Sequence, residues 1–178
     1  MITIVEYDPK WPEVFERLRA LYESALHSTA ILGIEHVGST AVEGLAAKPI
    51  VDIDIVVSSQ ELAAATDALC SIGFEPLGEQ GIVGRWAFRQ PDDLPATHTY
   101  VVEERSLALR NHLAVRDALR AEPSLREQYA RLKYGIASSA TTMDAYVERK
   151  SKFLLSILEQ AGVAEDELAE IEQANRSG

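Results

Sequence analysis

Residues 35–57 read EHVGSTAVEGLAAKPIVDIDIVV, and this run changes character halfway. Its first half closes a short apolar stretch, Ile34-Glu35-His36-Val37, which reads as a strand end broken at Gly38-Ser39-Thr40. A loop or short helix follows and is closed by Lys48-Pro49. From Ile50 to Val57 the chain alternates as a strand does, with Val51, Ile53, Ile55 and Val57 on one face and Asp52 and Asp54 on the other. Side chains two apart on a strand point the same way, so the two carboxylates stand side by side, about 6–7 Å apart at Cα. Carboxylates so placed repel unless a cation lies between them. A hard divalent ion such as Mg²⁺ takes a few carboxylate oxygens, several waters and the oxygens of a bound phosphate. Gly38 lets the backbone approach a ligand closely, and the Gly38-Ser39 turn brings backbone N–H groups and a hydroxyl to a bound phosphate. Each piece alone has a plainer reading, as a turn or as a strand with its acids in water. Together they read as a metal-plus-phosphate site.

Composition bounds the partners. The chain has 178 residues, 47% hydrophobic and 25% charged, which suits an ordinary globular domain with a sizeable core. Seventeen basic against 28 acidic residues give a net charge of −11, which argues against strong nucleic-acid binding and leaves room for a nucleotide met by local cations. One cysteine, Cys70, cannot form an internal disulfide, and no apolar run approaches spanning length; a cytoplasmic setting is expected, without membrane contact. Oligomeric state is not legible in the sequence.

In chain order, Ile2–Tyr7 alternates like a strand ended by Asp8-Pro9. Trp11-Pro12 opens a helix whose stripe runs through Phe15, Leu18, Tyr22 and Leu26. His36 beside the bend reads as strand packing with a possible substrate contact. Ser58-Ser59-Gln60-Glu61 predicts a capping box and a helix through Ile72, with a short strand from Phe74. Residues 82–88 and 97–102 predict a hairpin around the Pro- and Asp-rich turn from Gln90 to Ala96. Arg85 on its first strand is a candidate phosphate contact, because the guanidinium fork suits phosphate oxygens; a surface ion pair is the alternative. His98 on its second is a candidate metal ligand, phosphate contact or base, or else a packed or surface residue. Ser106 predicts a helix cap for Leu107–Arg120, and Ser124 one for Leu125–Ala137. A third helix is expected from Thr142 to Gln160, with Met143, Tyr146, Val147, Phe153 and Leu154 on its apolar side. Glu165–Asn175 reads as a short helix or frayed tail. One unit over 1–178 is expected: a sheet-containing core (1–105), C-terminal helices (106–162) and an acidic tail (163–178).

The run GSTAVEGLAAKPIVDIDIVV resembles the signature of the GrpB-like family (UPF0157), regarded as part of the nucleotidyltransferase superfamily, whose pattern is a Gly-Ser turn followed by a D-x-D strand. GIVGRWAF, HTYVV, VRDALR, YARLK and AYVERKSKF are similar to further family segments, so the resemblance covers most of the chain. It implies an α/β (α+β) fold: a small mixed sheet, flanking helices and a C-terminal helical extension. Gly38, Ser39 and Thr40 would hold a nucleoside triphosphate, with Lys48, Arg85, Lys133 and Lys150 as further phosphate contacts. Asp52 and Asp54 would bind Mg²⁺, and Arg116 is another cation in the matched segments. For Lys133 and Lys150 the residues themselves also allow solvated helix positions paired with Glu. The chain departs from the pattern twice. Where many members have two histidines it has Thr97-His98, and it offers no third aspartate on the hairpin, so His98 stands where that acid would be.

The activity so implied is transfer of a nucleoside monophosphate from an NTP to an unidentified acceptor. Two Mg²⁺ ions on Asp52 and Asp54 would lower the pKa of the attacking hydroxyl and stabilise the α-phosphate and leaving pyrophosphate. Two other classes stay open: a nucleotide or phosphate sensor without turnover, and an interaction module. The second is suggested by GrpB-like domains fused to dephospho-CoA kinase, a coenzyme A enzyme. The chain has no G-x-x-x-x-G-K-[ST] run and is not itself a P-loop kinase.

Overall fold

The computed structural model of the chain describes residues 3–138, 143–160 and 162–177. Five strands, β1 (Ile31–Val37), β2 (Val51–Val57), β3 (Glu75–Gly78), β4 (Arg85–Arg89) and β5 (Thr97–Glu103), form one mixed sheet in the order β1-β2-β5-β4-β3. β1 runs antiparallel to β2, β2 parallel to β5, and β5, β4 and β3 are successively antiparallel. The parallel pair at the centre needs a long crossover, and the chain between β2 and β5 supplies it. In it lie α2 (Leu62–Ser71) and the strands β3 and β4. The expected mixed sheet with flanking helices is therefore present.

One face of the sheet is apolar for a local reason. Val51, Ile53, Ile55 and Val57 are at most 2% exposed and pack with Trp11, Phe15, Leu18, Tyr22 and Leu26 of α1 (Lys10–Ala25) and the segment after it. Burying one such side chain contributes about 1.5–3 kcal/mol. A one-residue slip of β2 would exchange those four for Asp52 and Asp54, so register is firmly set. The other face carries the acids and is covered by α3 (Leu107–Ala121), on which α4 (Pro123–Ser138) and α5 (Met143–Gln160) pack, with α6 (Glu165–Ser177) beyond. A second apolar cluster fixes these helices: Val42 and Leu45, from the β1–β2 connection, pack with Leu119, Tyr129 and Ile157.

Several local expectations are corrected. Val5 makes only an isolated bridge to Ala47, so the N-terminal segment is not a strand of the sheet. Ser58–Glu61 forms no capping box: Ser59–Glu61 is a 3₁₀ turn, and the Glu61 carboxylate accepts from the Ala30 N–H at 3.2 Å instead. Ile82, Val83 and Gly84 are a turn ahead of β4, since the Ile82 N–H returns to the Glu79 carbonyl and Gly84 has φ +75°. α4 starts at Pro123, a residue suited to a first helical position because it lacks an N–H, so Ser124 is inside the helix and not its cap. The Ser106 cap is present, accepting from the Leu109 N–H at 3.2 Å. Ile2, Thr142 and the side chains of Met143, Tyr146 and Val147 lie outside the described residues. Among the described residues no helix is long and apolar enough to cross a membrane.

Candidate active site

The bend after β1 is built for close approach. Register pairs Val37 with Asp52, so the following Gly38 lies beside the Asp52 side chain. Gly38 has φ +70° and ψ −169°, a region open essentially to glycine. A Cβ there would lie 2.2 Å from the Asp52 Oδ2. Ser39–Ala41 then forms a 3₁₀ turn whose outer side is braced. The His36 Nε2 is bonded to the Thr40 Oγ1 at 3.0 Å, and its ring stacks on Phe15 with centroids 4.8 Å apart. Burial lowers the His36 pKa to about 4, with Arg120 and Arg116 adding to the effect and Asp52 opposing it, so the ring is neutral at pH 7. Strand packing of His36 is thus borne out, and the hydroxyl of Thr40 is engaged by it. From α3, the Arg116 Nη1 donates to the Glu35 carboxylate at 2.7 Å and to the His36 carbonyl at 3.2 Å. The Arg120 Nε and Nη2 both donate to the Ala41 carbonyl, at 3.0 and 2.8 Å.

The two acids share a face but not an environment. Asp52 pairs in register with His98, whose Nδ1 lies 2.8 Å from the Asp52 Oδ1. Asp54, 0% exposed, sits 2.7 Å from the His112 Nδ1 through its Oδ2, while its Oδ1 is buried without a hydrogen-bond partner. Burial works against charge on His112, but the Asp54 carboxylate beside it prevails and raises its pKa. Tyr100 stands between the two imidazoles, 6.4 Å from His98 and 6.1 Å from His112. Burial, with Asp52 nearby, raises its pKa to about 12. Among the described residues no three His, Cys, Asp or Glu side chains are gathered to hold a metal. A hard ion that completes its shell from water and a bound phosphate fits Asp52, which is open to the hollow, while the orphaned Oδ1 of Asp54 lies buried behind it.

Cations gather at the bend from the opposite side. Lys133 of α4 is 2% exposed, not solvated; its Nζ donates to the Ser39 Oγ at 3.0 Å and to the Ala46 carbonyl, and lies 4.3 Å from the Tyr129 ring centre. Burial pushes its pKa down to about 7, Lys150 lowers it further and Asp52 opposes. Burial and Lys150 also lower the pKa of Lys48. Lys48, Lys133 and Lys150 line one small hollow of about 100 Å³ together with Ser39, Asp52 and His98. A larger cavity of about 780 Å³ shares Ser39, Lys48, Asp52, His98 and Lys150 and extends past Tyr100 to Arg85. Asp54 is not on its wall, being sealed under His112, so only Asp52 of the pair opens directly into the hollow beside Ser39.

His112, Asn111 and Arg120 are site residues that the sequence pattern alone did not single out. A signal existed for His112: with Ala108, Val115 and Leu119 it falls on the apolar stripe of α3, where a polar residue calls for a partner.

The family model described as GrpB protein matches residues 1–160 of this chain. The UPF0157 protein YqkA of Bacillus subtilis is 33% identical over 166 residues, covering 90% of this chain, and the chain spans about half (47%) of that relative's length. The crystal structure of the conserved protein GrpB from Enterococcus faecalis superposes with a TM-score of 0.76 at 28% identity, over 90% of this chain and 99% of that one. The Cid1 poly(U) polymerase, solved bound to MgATP, superposes with a TM-score of 0.56 at 10% identity, over 78% of this chain and 46% of that one. At that identity the likeness concerns the fold alone, which is that of the nucleotidyltransferases.

Proposed function

The chain belongs to the GrpB family, and from that premise we propose that it is a metal-dependent nucleotidyltransferase, moving a nucleoside monophosphate from an NTP to an acceptor hydroxyl. The observation that carries this reading is the Asp52 carboxylate lying flush against the Gly38-Ser39 bend, with three lysines around the same hollow. Lys48 and Lys133 are held below their usual pKa by burial and by a neighbouring cation, and a polyphosphate would relieve both. Ser39, Lys133 and Lys150 would hold the β- and γ-phosphates. Asp52 would hold Mg²⁺ at the hollow, joined by Asp54 once His112 gives way, and the ion when bound supplies Lewis-acid stabilisation of the phosphoryl oxygens.

His98 takes the place of a third carboxylate. Asp52 holds it at Nδ1, which leaves Nε2 for the proton of the acceptor. In the transfer an acceptor oxygen bonds to the α-phosphorus, its proton passes to His98, and the bond from the α-phosphorus to the bridging oxygen breaks. Pyrophosphate then departs with its charge met by the lysines. Attack at the α-phosphorus follows from fold analogy.

One observation favours a second reading. Asp54 is already satisfied at one oxygen by His112 and sealed from the cavity, as suits a site that binds nucleotide without turning it over. Incubation with Mg²⁺ and each α-labelled NTP separates the two. An enzyme releases pyrophosphate. A sensor shows Mg²⁺-dependent thermal stabilisation that Asp52→Asn abolishes, without turnover. Absence of both effects refutes nucleotide use altogether.

A further inference from the structure

Arg85 is the unexplained charge of this site. Arg19, Arg89, Arg110, Arg116 and Arg131 each meet a carboxylate. Arg85 is half-buried, its Nε is buried without a hydrogen-bond partner, and its guanidinium rests 4.5 Å from the Tyr100 ring centre. Among the described residues it has no ion-pair partner, in a chain carrying 28 acids. A guanidinium cannot shed its charge by deprotonation, so burial without a counter-ion is costly unless a ligand supplies one.

Its position is equally informative. The sheet order puts β4, which bears Arg85, on the far side of β5 from the β1–β2 bend. His98 and Tyr100 of β5 therefore stand between Arg85 and the lysines, and only the larger cavity reaches Arg85. A second buried orphan, the Asn111 Oδ1, belongs to a residue on the wall of that cavity. Apolar residues on this wall include Ile82, Val115 and Leu154, with Ile171 of α6 also lining it. One anion can thus occupy the lysine hollow and another Arg85, with Asp52 and His98 between them.

We propose that Arg85 binds an oxyanion group, phosphate or carboxylate, of a small-molecule acceptor, whose aliphatic part lies on the apolar wall. Two N–H groups of one guanidinium suit two oxygens of such a group, which fixes the acceptor's orientation as well as its affinity. Asn111 offers a side-chain amide to a polar group of the same molecule. The net charge of −11 disfavours a polynucleotide in this role. That the bound molecule is an acceptor rests on the nucleotidyl-transfer reading; the anion site does not.

The test follows the Nε–H resonance of Arg85 in arginine-labelled protein, assigned by its loss in Arg85→Lys. Inorganic phosphate and acetate are titrated separately, and the arm that saturates identifies the group. The proposal expects a saturable shift in one arm that persists in Lys133→Met. It also expects Arg85→Gln to weaken binding of that anion about tenfold or more, while stabilisation by Mg²⁺ and nucleotide is retained. An unmoved resonance in both arms overturns the proposal. So does a shift lost in Lys133→Met, or an Arg85→Gln protein that loses nucleotide stabilisation as fully as Lys133→Met does, because both place Arg85 in the donor site. If no nucleotide binds and Arg85 still reports phosphate, the transfer reading fails and the anion site stands.

Discussion

Replacing Gly38 by alanine tests the contact on which the site is built. Two costs add at this position. The backbone at φ +70° and ψ −169° lies outside the ordinary range of residues with a Cβ, at about 1–3 kcal/mol. The new methyl would also lie 2.2 Å from the Asp52 Oδ2 and 2.8 Å from its Cγ, so the carboxylate must swing away or the bend must open. Forcing a methyl into a filled site costs about 1–3 kcal/mol. Gly44→Ala is the matched control, since Gly44 has φ +77° but no atom within 4 Å of the place a Cβ would take, leaving backbone strain alone. Gly38→Ala is therefore expected to lose roughly 2–6 kcal/mol in urea unfolding and Gly44→Ala about 1 kcal/mol, the first a midpoint drop of several degrees on heating. A displaced Asp52 should further cost Mg²⁺-dependent nucleotide stabilisation, which Gly44→Ala should keep. Equal destabilisation by the two variants would falsify the close approach of bend and acid, and with it the shared site.

Four further outcomes are expected. Lys133 has a pKa of about 7 folded against 10.5 unfolded, so the unfolded chain binds the extra proton between those values; stability should rise with pH from 7 to 10.5, and Lys133→Met should remove that rise in pH-resolved urea titrations. Binding of Mg²⁺ and nucleotide at pH 8 should take up protons at Lys133, seen as buffer-dependent heats in calorimetry; heats independent of buffer would contradict it. His36, at about 4 folded against 6.5 unfolded, stays neutral while the unfolded ring charges, so stability should fall as pH drops through this window by about 3 kcal/mol in all; an acid limb unchanged in His36→Phe would refute this. Arg120→Ala frees the Ala41 carbonyl and should cost about 1–3 kcal/mol, with nucleotide affinity falling alongside as the bend loses its brace; a thermal midpoint like that of the parent chain would argue against it.

The sheet and the bend were legible because their signals are local. Alternation from Val51 to Val57 fixes which side is core, and Gly38 announces a conformation few residues can hold. Where reading failed locally, a tertiary demand had overruled a short-range rule. Glu61 carries the right residue type for a capping box, yet its carboxylate goes to Ala30, 31 residues away. Ile82 and Val83 have strand propensity, yet Gly84 at φ +75° turns the chain before β4 can begin.

The cations that complete the site were not legible in local pattern, where the family resemblance alone pointed to Lys133, and the reason is distance along the chain. Lys133 meets Ser39 across 94 residues, and His112 meets Asp54 across 58. Helical periodicity says that a lysine lies on one face of α4; it does not say what that face meets. What decides it is the cluster of Val42 and Leu45 with Leu119, Tyr129 and Ile157, which docks the helices onto the segment just after the bend. Those two apolar residues sit three and six positions beyond Ser39, so the contact that buries them also brings Lys133 to the serine. The segment that supplies the phosphate turn thus also supplies the helices' anchor, and the buried lysine follows from packing before any ligand is considered. A substitution that loosens Leu45 should therefore act on Lys133 as well as on stability, returning its pKa toward that of a solvated lysine.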